Sequence, residues 1–578
     1  KGKLVIVIIH QPSSDIYKLF DKLWMLDRGG FPIYNGNPID AVVYFKSEST
    51  QVNATESECP HCGNVIPEQI LQIVETKTID DDGRPTSERK IKPSDWFHKY
   101  KEKIEPFVPQ LRHDTSIPKS NFRLPSSLKQ FLIYSKRNVL SKVANKQYIL
   151  INLLEAPVLA FILGYFSKYS SGLEYNLAEN KNLPVYLFMA VVVSLFIGMS
   201  VSAEEIFKDR KIIERESFLN LSRFSYINSK VSFLFTLSAF QMLTFVVIGN
   251  FILEIHGLSL YYWLLLFSTA CFANLVGLTI SSAFNSVITI YILIPFILVP
   301  QLLLGGAMIK FDDLHKSLTN RVHVPFIGDV MASRWAYEAI AVAQFKENAY
   351  EKHFFEAEKK ISAASFNISF KIPELEVITN SLMQDEDKES ESFEARLDIL
   401  RNELDRLGKK AEMQPFTFAN NLTPRSFTQN IGKNVLSYLE SLTGAFTVKM
   451  EDAANEQEGI YNGLSRKIGK DEILVLKKSS FNEALSDILL NRNEIKVLYY
   501  GADQLIQKKD PVLMEPESNL GRAHFYAPVK IFFGYRIDTF WFNLMVLWCM
   551  TGLLYVLLVK DFFGRAMKGV WRTRLRKE

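Results

Sequence analysis

The sequence is poor in cysteine and lacks a glycine-rich phosphate-binding loop. Four cysteines among 578 residues are too few for a disulfide framework. The pattern G-x-x-x-x-G-K-[ST] does not occur. Because the backbone amides and the lysine of that loop cradle nucleotide phosphates, we expect that this chain does not hydrolyse ATP by itself. The formal net charge is only +4, so the composition gives no electrostatic reason to expect a nucleic-acid partner.

Long apolar blocks alternate with charged ones along the chain. Six of these blocks are long enough to cross a bilayer, which requires about 20 mostly apolar residues. They predict a mainly α, multi-pass membrane protein whose first partner is the lipid bilayer. The predicted spans are residues 148–166, 183–201, 231–252, 260–280, 287–304 and 539–559.

Basic residues mark one side of the predicted spans. Lys and Arg are dense before the first span, between the second and third spans, and in the tail 560–578. Because cytoplasmic loops carry an excess of Lys and Arg, we expect both termini to be cytoplasmic. The segment 310–538, between the fifth and sixth spans, is then extracytoplasmic.

The first residues have the pattern of a nucleotide-binding α/β domain. An apolar run over residues 4–9 ends at His10 and is followed by Gln11, Pro12 and Ser13. A buried parallel strand is continuously apolar, and ligands of open α/β sheets bind at the carboxyl ends of strands. This pattern predicts a strand over residues 4–9, with His10 beside a nucleotide phosphate. Residues 23–26 are expected to form a second, short strand.

These residues carry a resemblance to a known family. The run Ile9-His10-Gln11-Pro12-Ser13, the later Phe20-Asp21 and Gly30, and Tyr34-Asn35-Gly36 resemble the segment around the switch histidine of ABC transporter ATPases, most closely in the G (White/pigment) subfamily. The resemblance implies that residues 1–75 are the C-terminal remnant of a nucleotide-binding domain, truncated before the switch histidine. In the full-length protein, His10 would be catalytic, His10 and Gln11 would lie at the nucleotide, and ATP and Mg would be the cofactors.

The order of the segments is similar to that of reverse-order half-transporters of this subfamily. The resemblance implies an ABC-2 type membrane domain that acts as a dimer with a second half-transporter and with the missing ATPase portion. An exported apolar or amphipathic substrate would follow from it. Two alternatives remain open, namely a membrane-anchored protein that signals to an extracytoplasmic partner without transport, and an inactive gene fragment. The expected segments are a linker at 76–123, an elbow helix at 124–147, spans 1–5 at 148–309 and span 6 at 539–559.

The loop 203–216 is dense in charges of both signs and carries a few apolar residues. As a helix it brings Ile206, Phe207 and Ile213 close to one face. The resemblance implies that this segment is the coupling helix, which docks against the ATPase and passes its closure to the spans. A solvated linker with helix-stabilising ion pairs is the alternative.

Polar residues within apolar spans are candidate functional residues because lipid disfavours them. Any of them could line a substrate path or the dimer seam, or could pair with another span for structural reasons. These residues are Glu155, Gln241, Asn250, Asn274 and Gln301.

The segment after the fifth span divides into two predicted parts. Residues 328–345 resemble the re-entrant helices of the G subfamily, and Arg334 and Glu338 are expected to pair there because polar groups at membrane depth need partners. Residues 350–520 predict an α-rich extracytoplasmic insert, with helices over 386–413 and 426–468 and short strands over 470–476 and 495–500. This insert could gate an exit, bind an extracytoplasmic protein partner or only cover the surface.

A C-x-x-C motif lies near the start of the chain. Cys59-Pro60-His61-Cys62-Gly63 has the spacing that supplies half of a zinc site. Tetrahedral closure needs two further nitrogen or sulfur ligands, and no second C-x-x-C occurs. Cys59 and Cys62 are therefore candidate zinc ligands, with a turn that binds no metal as the alternative.

Overall fold

The structure is a computed structural model. It describes residues 4–9, 12–80, 82–108, 124–170, 172, 174–216, 219, 221–516 and 518–566. The chain divides into two compact units, residues 1–122 and 123–578, and we describe each by itself. The second unit contains the predicted membrane spans and the insert.

The N-terminal unit is a small α/β unit built on two hairpins. The strands β1 and β2 pair antiparallel, as do β3 and β4. Aromatic side chains from both halves form its core, in which Phe45 and Trp96 are fully buried with ring centroids 5.1 Å apart. The elements are α1 (Ser14–Tyr17), β1 (Leu23–Leu26), β2 (Pro32–Gly36), α2 (Pro38–Glu48), α3 (Glu68–Val74), β3 (Lys77–Ile79), β4 (Pro85–Arg89) and α4 (Pro93–Lys103).

One predicted strand of this unit is wrong. Residues 4–9 form no strand, and their side chains are exposed, Ile8 almost completely. A strand requires a neighbour to accept its backbone hydrogen bonds, and among the described residues no strand lies beside this segment. The short strand over residues 23–26 is present as β1.

The segment expected as a linker is folded over much of its described part. The hairpin β3–β4 and the helix α4 both lie within residues 76–123. Trp96 of α4 belongs to the core of the N-terminal unit, packed with Ile91 and Ile104 around it. The buried Trp96 and Tyr100, together with ion pairs from Arg89 to Asp27 and from Lys99 to Glu48, join this polar segment to the rest of the unit.

The second unit begins with a bundle of long apolar helices. Among the described residues, five helices are long and apolar enough to cross a membrane, namely α6, α7, α9, α10 and α20. The fifth predicted span is the helix α11, which is apolar but has only 17 residues. The elements are α5 (Ser127–Ala144), α6 (Lys146–Ser167), α7 (Leu183–Ser202), α8 (Glu205–Glu216), α9 (Arg223–Leu253), α10 (Ser259–Ala283), α11 (Val287–Leu303) and α20 (Thr539–Val559).

Helices α7 and α10 form the centre of the bundle, and two glycines bring them together. A Cβ atom at Gly198 would lie 2.6 Å from the carbonyl oxygen of Ala270. A Cβ atom at Gly277 would clash with Oγ of Ser202. Small residues let membrane helices approach closely, and close packing is the main attraction between them in lipid. The mainly α fold expected from the sequence is confirmed.

The remaining elements follow α11. The predicted helices over 328–345 and 386–413 are present as α12–α13 and α16, and the helix predicted over 426–468 is α17. The elements are α12 (Phe326–Asp329), α13 (Ala332–Lys346), α14 (Phe355–Phe366), α15 (Ile372–Gln384), α16 (Glu391–Ala411), α17 (Gln429–Ile468), α18 (Lys470–Ser480), α19 (Glu483–Leu489), β5 (Leu498–Tyr500), β6 (Leu505–Gln507), β7 (Val529–Phe532) and β8 (Tyr535–Asp538).

The strand predicted over residues 470–476 is wrong, because this segment is the helix α18. Its first turn carries Asp471 and Glu472 and its last turn carries Lys477 and Lys478, which suits the helix dipole at both ends. The strand predicted over 495–500 is present only as β5, which pairs antiparallel with β6. Alternating apolar residues fit both kinds of element, and the terminal charges favour the helix here.

Candidate functional site

A buried glutamate anchors helix α8, the predicted coupling helix. Glu205 is only 3% exposed and lies at the first residue of α8. Lys142 of α5 pairs with its Oε1 atom, and Nζ of Lys230, in α9, lies 3.0 Å from its Oε2 atom. Burial lowers the pKa of Lys142, although Glu205 acts in the opposite direction. A buried carboxylate is tolerated only when it is paired, so this contact joins three helices strongly.

Further polar contacts extend this cluster. Nζ of Lys230 also lies 2.9 Å from Oδ2 of Asp209 and donates to Oδ1 of Asn138 at 3.1 Å. The hydroxyl of Tyr226 donates to Oδ2 of Asp209 at 3.1 Å. We call Lys142, Glu205, Asp209 and Lys230 the α8 cluster. Because its members come from α5, α8 and α9, the cluster links these three helices.

The start of α8 is also joined to the end of α10. Oγ of Ser281 accepts hydrogen bonds from the backbone N–H groups of Ile206 at 3.1 Å and Phe207 at 3.0 Å. Arg210 donates to the carbonyl oxygen of Ser282 at 3.0 Å. The first N–H groups of a helix have no partner within the helix itself, and here α10 supplies one. The helix α8 therefore contacts α10, the most buried helix of the bundle.

The three predicted coupling residues pack against other helices of the second unit. Ile206 is buried, and Ile213 packs against the same cluster, which includes Tyr134 and Tyr226. Phe207 packs against the core of the helix bundle. The apolar residues that helical periodicity predicted thus lie on the face of α8 that packs against neighbouring helices of the second unit.

The opposite face of α8 was not singled out from the sequence. Lys208, Lys211, Ile212 and Arg215 are exposed and spaced by three or four residues, so they share one side of the helix. The isoleucine is 42% exposed between three cations. We call these four residues the exposed face of α8. Its signal was in the sequence, as one apolar residue surrounded by basic residues at helical spacing.

Four of the five predicted intramembrane polar residues are buried and bonded between elements. Nε2 of Gln241 donates to the carbonyl oxygen of Asn152 at 2.9 Å, and Nδ2 of Asn274 donates to Oγ of Ser238 at 2.8 Å. Nδ2 of Asn250 donates to Oγ of Ser259 at 3.1 Å. Oε1 of Gln301 accepts from the backbone N–H of Ser333 at 2.9 Å. These contacts join α6 to α9, α9 to α10 and α11 to α13.

The fifth residue, Glu155, differs from the others. It is half-buried on α6, the most peripheral of the long apolar helices. No hydrogen bond or ion pair joins it to another residue in the part of the chain that the structure describes. It therefore remains a candidate for a contact outside its own chain.

A second buried cluster lies at the end of the bundle nearest the insert. Nη1 of Arg334 lies 3.5 Å from Oε2 of Glu338, so the expected pair is brought together. Oε1 of Glu338 is 2.7 Å from Nζ of Lys530, and Asn543 donates to its Oε2 atom at 2.8 Å. Lys530 and Asn543 were missed because they lie about two hundred residues further along the chain. We call these four residues the insert-end cluster.

The predicted nucleotide and zinc residues lie in the N-terminal unit. His10 and Gln11 fall outside the described residues. The backbone N–H groups of Cys62 and His61 point at the Cys59 sulfur and lower the pKa of that thiol. Among the described residues, no group of three or more His, Cys, Asp or Glu side chains could hold a metal ion. Zinc at Cys59 and Cys62 therefore stays a prediction.

Comparison with known proteins finds similarity to ABC transporters. Residues 129–345 match the family described as ABC-2 type transporter. ABC transporter G family member 14 of Arabidopsis thaliana is 36% identical over 91 residues, which are 16% of this chain and 12% of that protein. G family member STR of Petunia hybrida is 23% identical over 236 residues, or 40% of this chain and 26% of the relative. G family member 51 of Oryza sativa subsp. japonica is 41% identical over 63 residues, covering 10% of this chain and 4% of that protein.

The matched region contains α8 and most of the apolar helices. Residues 129–345 are therefore similar to an ABC-2 type transporter domain. Parts of the chain are similar to G family ABC transporters, and the chain spans about a quarter or less of the length of these relatives. The resemblance first seen around His10 is thus supported by a second, longer region of the chain.

Proposed function

We propose that this chain is the membrane-spanning portion of an ATP-driven ABC transporter that exports an apolar or amphipathic substrate. It would work as a dimer with a second half-transporter, because its long apolar helices are too few to enclose a path alone. Both termini and α8 would be cytoplasmic, and the insert would lie on the opposite side of the bilayer. An extracytoplasmic protein partner could bind that insert.

The observation that carries this proposal is the α8 cluster. A helix that only linked two spans would not need a buried glutamate paired with lysines of two neighbouring helices. The burial of an ion pair resists separation, since leaving one charge unpaired costs about 3–5 kcal/mol. Such a cluster lets α8 transmit a push to α5, α9 and α10 as one body. This is the property that a coupling helix requires.

The exposed face of α8 is the surface that would contact the ATPase portion. Ile212 offers an apolar contact, and Lys208, Lys211 and Arg215 favour an acidic partner surface. The sequence has no phosphate loop, so the residues of this chain do not by themselves fit ATP and Mg. We therefore assign nucleotide binding to the ATPase portion of the full-length protein, in which His10 and Gln11 would contribute to the site.

The test is the substitution Ile212→Asp in the full-length protein, reconstituted in lipid vesicles. Ile212 is exposed, so the variant should fold, and the new charge should weaken docking to the ATPase portion. We expect substrate transport per ATP hydrolysed to fall about tenfold, which corresponds to about 1.4 kcal/mol of lost contact. The matched control is Val475→Asp, which places the same charge at an exposed apolar site of α18.

The outcomes separate the candidate functions. Unchanged coupling in the Ile212 variant would contradict the assigned docking face. If the unsubstituted protein hydrolyses ATP but moves no substrate under any condition, the signalling alternative replaces the transporter. Equal losses in the Ile212 and Val475 variants would mean that the surface charge acts non-specifically.

A further inference from the structure

The β7–β8 hairpin carries exposed apolar side chains directly before the last apolar helix. Phe533 and Tyr535, at the end of the hairpin, are 71% and 76% exposed. Leu520, which forms a bridge with the last residue of β7, is 67% exposed. We call these three residues the hairpin tip. Neighbouring exposed apolar side chains, unlike single ones, mark an interaction surface.

The hairpin tip is held in a fixed position. The backbone N–H of Phe533 donates to the carbonyl oxygen of Asn519 at 3.0 Å, so the tip is joined to the segment that carries Leu520. Within β7, Lys530 is completely buried, and its Nζ atom lies 2.7 Å from Oε1 of Glu338 in the insert-end cluster. The exposure of the tip is therefore a property of an anchored element.

Contacts with α20 fix the level of the hairpin tip. The ring of Phe532, the last residue of β7, lies 6.1 Å from the ring of Phe542 in the first turn of α20. A Cβ atom at Gly521, the neighbour of Leu520, would lie 2.5 Å from the ring of Phe542. Both strands of the chain that form the tip therefore reach the first turn of α20.

The first turn of α20 is expected to lie at a surface of the bilayer. The helix has 21 residues and is therefore about 31 Å long, close to the hydrocarbon thickness of about 30 Å. The ring of Tyr261, at the start of α10, lies 6.4 Å from that of Trp541 in the same turn. Tyrosine and tryptophan are enriched at membrane surfaces. The hairpin tip is thus at the level where lipid headgroups meet acyl chains.

The turn of the hairpin does not explain the aromatic ring at its end. Phe533 and Gly534 connect the two strands, and both have positive φ, +48° and +84°. A two-residue turn of this kind favours Asn-Gly, and a bulky side chain is uncommon in the left-handed region. Asparagine would suit the backbone better, so the ring of Phe533 points to a contact outside the chain.

We propose that the hairpin tip inserts into the interfacial layer of the bilayer. Leu520 and Phe533 would contact acyl chains, and the hydroxyl of Tyr535 would stay among the headgroups, as suits its amphipathic ring. The run 531–535 has no charged residue that would oppose insertion. The inference goes beyond the proposed function, because it concerns lipid contact and does not require ATP-driven transport.

The test places a nitroxide label at the tip of the full chain in phosphatidylcholine nanodiscs. The label is attached to Phe533→Cys, in a background with Cys59→Ser, Cys62→Ser and Cys549→Ala that keeps only the buried Cys271. Oxygen concentrates in lipid, whereas a neutral nickel chelate stays in water. We expect oxygen to relax the label more strongly than the nickel chelate does.

The matched control is the same label on Ile495→Cys. Ile495 is an almost completely exposed apolar residue in the loop before β5, so any affinity of the label itself for lipid is the same at both sites. There the nickel chelate should relax the label more strongly than oxygen does. The difference between the two sites then reports the position of the hairpin tip.

A second variant separates lipid contact from folding. Phe533→Asn suits the turn, so the thermal unfolding midpoint in detergent should not fall. With the label on Leu520→Cys, this substitution should raise the access of the nickel chelate by at least about threefold, because the tip loses its largest apolar group. Ile495→Asn, measured with the same label on Leu520→Cys, should leave the access unchanged.

Each other outcome overturns the proposal. A label on Phe533→Cys that the nickel chelate relaxes more strongly than oxygen would place the tip in water. A label shielded from both reagents would indicate a contact with a second copy of the chain in place of lipid. Unchanged access at Leu520→Cys in the folded Phe533→Asn variant would show that the ring does not hold the tip in the bilayer. None of these results depends on whether the protein transports a substrate.

Discussion

Glu205 and Glu338 are buried glutamates at the two ends of the helix bundle. Each is paired with cations, but the two arrangements differ. Glu205 in the α8 cluster is paired with two lysines, and one of them also contacts Asp209. Glu338 in the insert-end cluster is completely buried and meets both Arg334 and Lys530. In the first cluster Lys230 contacts the partly exposed Asp209 at 2.9 Å. In the second, Lys530 pairs with Glu338 alone among the described residues, and Arg334 reaches the partly exposed Asp329 at the longer distance of 3.9 Å.

This difference predicts different sensitivities. A buried cation that loses its only close carboxylate is left unpaired in a medium of low dielectric. A cation that keeps a second carboxylate loses only part of its stabilisation. The α8 end should therefore lose less stability than the insert end when its glutamate is neutralised. The insert-end cluster should be the more sensitive of the two to loss of its glutamate.

The largest expected effect is that of Glu338→Gln. The substitution leaves Lys530 without a close carboxylate and Arg334 with only Asp329, 3.9 Å away, among the described residues, so we expect a loss of about 3–5 kcal/mol in the free energy of unfolding. Thermal unfolding in detergent measures it. The control is Glu254→Gln, which removes an exposed pair with Lys168 and should cost less than about 1 kcal/mol. Equal effects of the two substitutions would refute the enclosed character of the cluster.

Glu205→Gln should have a smaller effect on stability. Lys230 keeps its contact with Asp209 at 2.9 Å, so only Lys142 loses its close carboxylate. We expect a loss of about 2–3 kcal/mol, below that of Glu338→Gln. The same unfolding measurement compares the two directly. A larger loss at Glu205 than at Glu338 would reverse the comparison between the two ends.

Glu351 is a third buried glutamate, and it differs from Glu205 and Glu338. Its main charged neighbour is another carboxylate, Glu358, whereas Glu205 and Glu338 are paired with cations. Burial and the neighbouring Glu358 raise the pKa of Glu351 to about 9, with Lys477 acting in the opposite direction. The folded state thus holds a proton that the unfolded state releases above about pH 4.5. Stability should fall as the pH rises from about 4.5 through 9.

The matching variant is Glu351→Gln. It should be more stable than the unsubstituted chain at pH 8, by about 1–2 kcal/mol, and equally stable at pH 4. Thermal unfolding at both pH values measures this difference. An advantage of equal size at both pH values would mean that the side chain does not titrate in this range.

The last prediction concerns the orientation of the chain in the bilayer, and its substitutions should have the smallest effect on stability. Asn421-Leu422-Thr423 is a glycosylation acceptor whose asparagine is exposed, whereas the similar acceptor at Asn367 is buried. If the insert and the N-terminal unit lie on opposite sides of the bilayer, a eukaryotic host should glycosylate Asn421 of the insert. The exposed Asn53 of the N-terminal unit should then stay unmodified. An endoglycosidase-sensitive mass shift that is lost with Asn421→Gln supports this orientation. A shift that is lost with Asn53→Gln contradicts it.

The helices were predictable to different degrees, for reasons that particular residues show. Apolar runs identified α6, α7, α9, α10 and α20, because hydropathy over about twenty residues is a local property. The strand expected over residues 4–9 failed, since a strand exists only when another strand pairs with it. The helix α18 was mistaken for a strand because its apolar residues, taken alone, fit either period.

The candidate site was predicted in part. The position of α8 and its apolar residues followed from helical periodicity, but the direction in which Ile206 faces did not. Glu205 was one acidic residue among several in its loop, and nothing local distinguished it. Its lysine partners lie 63 residues before it and 25 residues after it. No pattern within one helix carries that information.

The sequence by itself determined the mainly α class, the apolar helices and the resemblance to a transporter family, because each of these depends on neighbouring residues along the chain. Only the tertiary structure decided which charges are buried together, which face of α8 is exposed, and where the β7–β8 hairpin lies beside α20. The physical reason is that burying a charge is favourable only beside its partner, and the partners become neighbours only when distant helices pack.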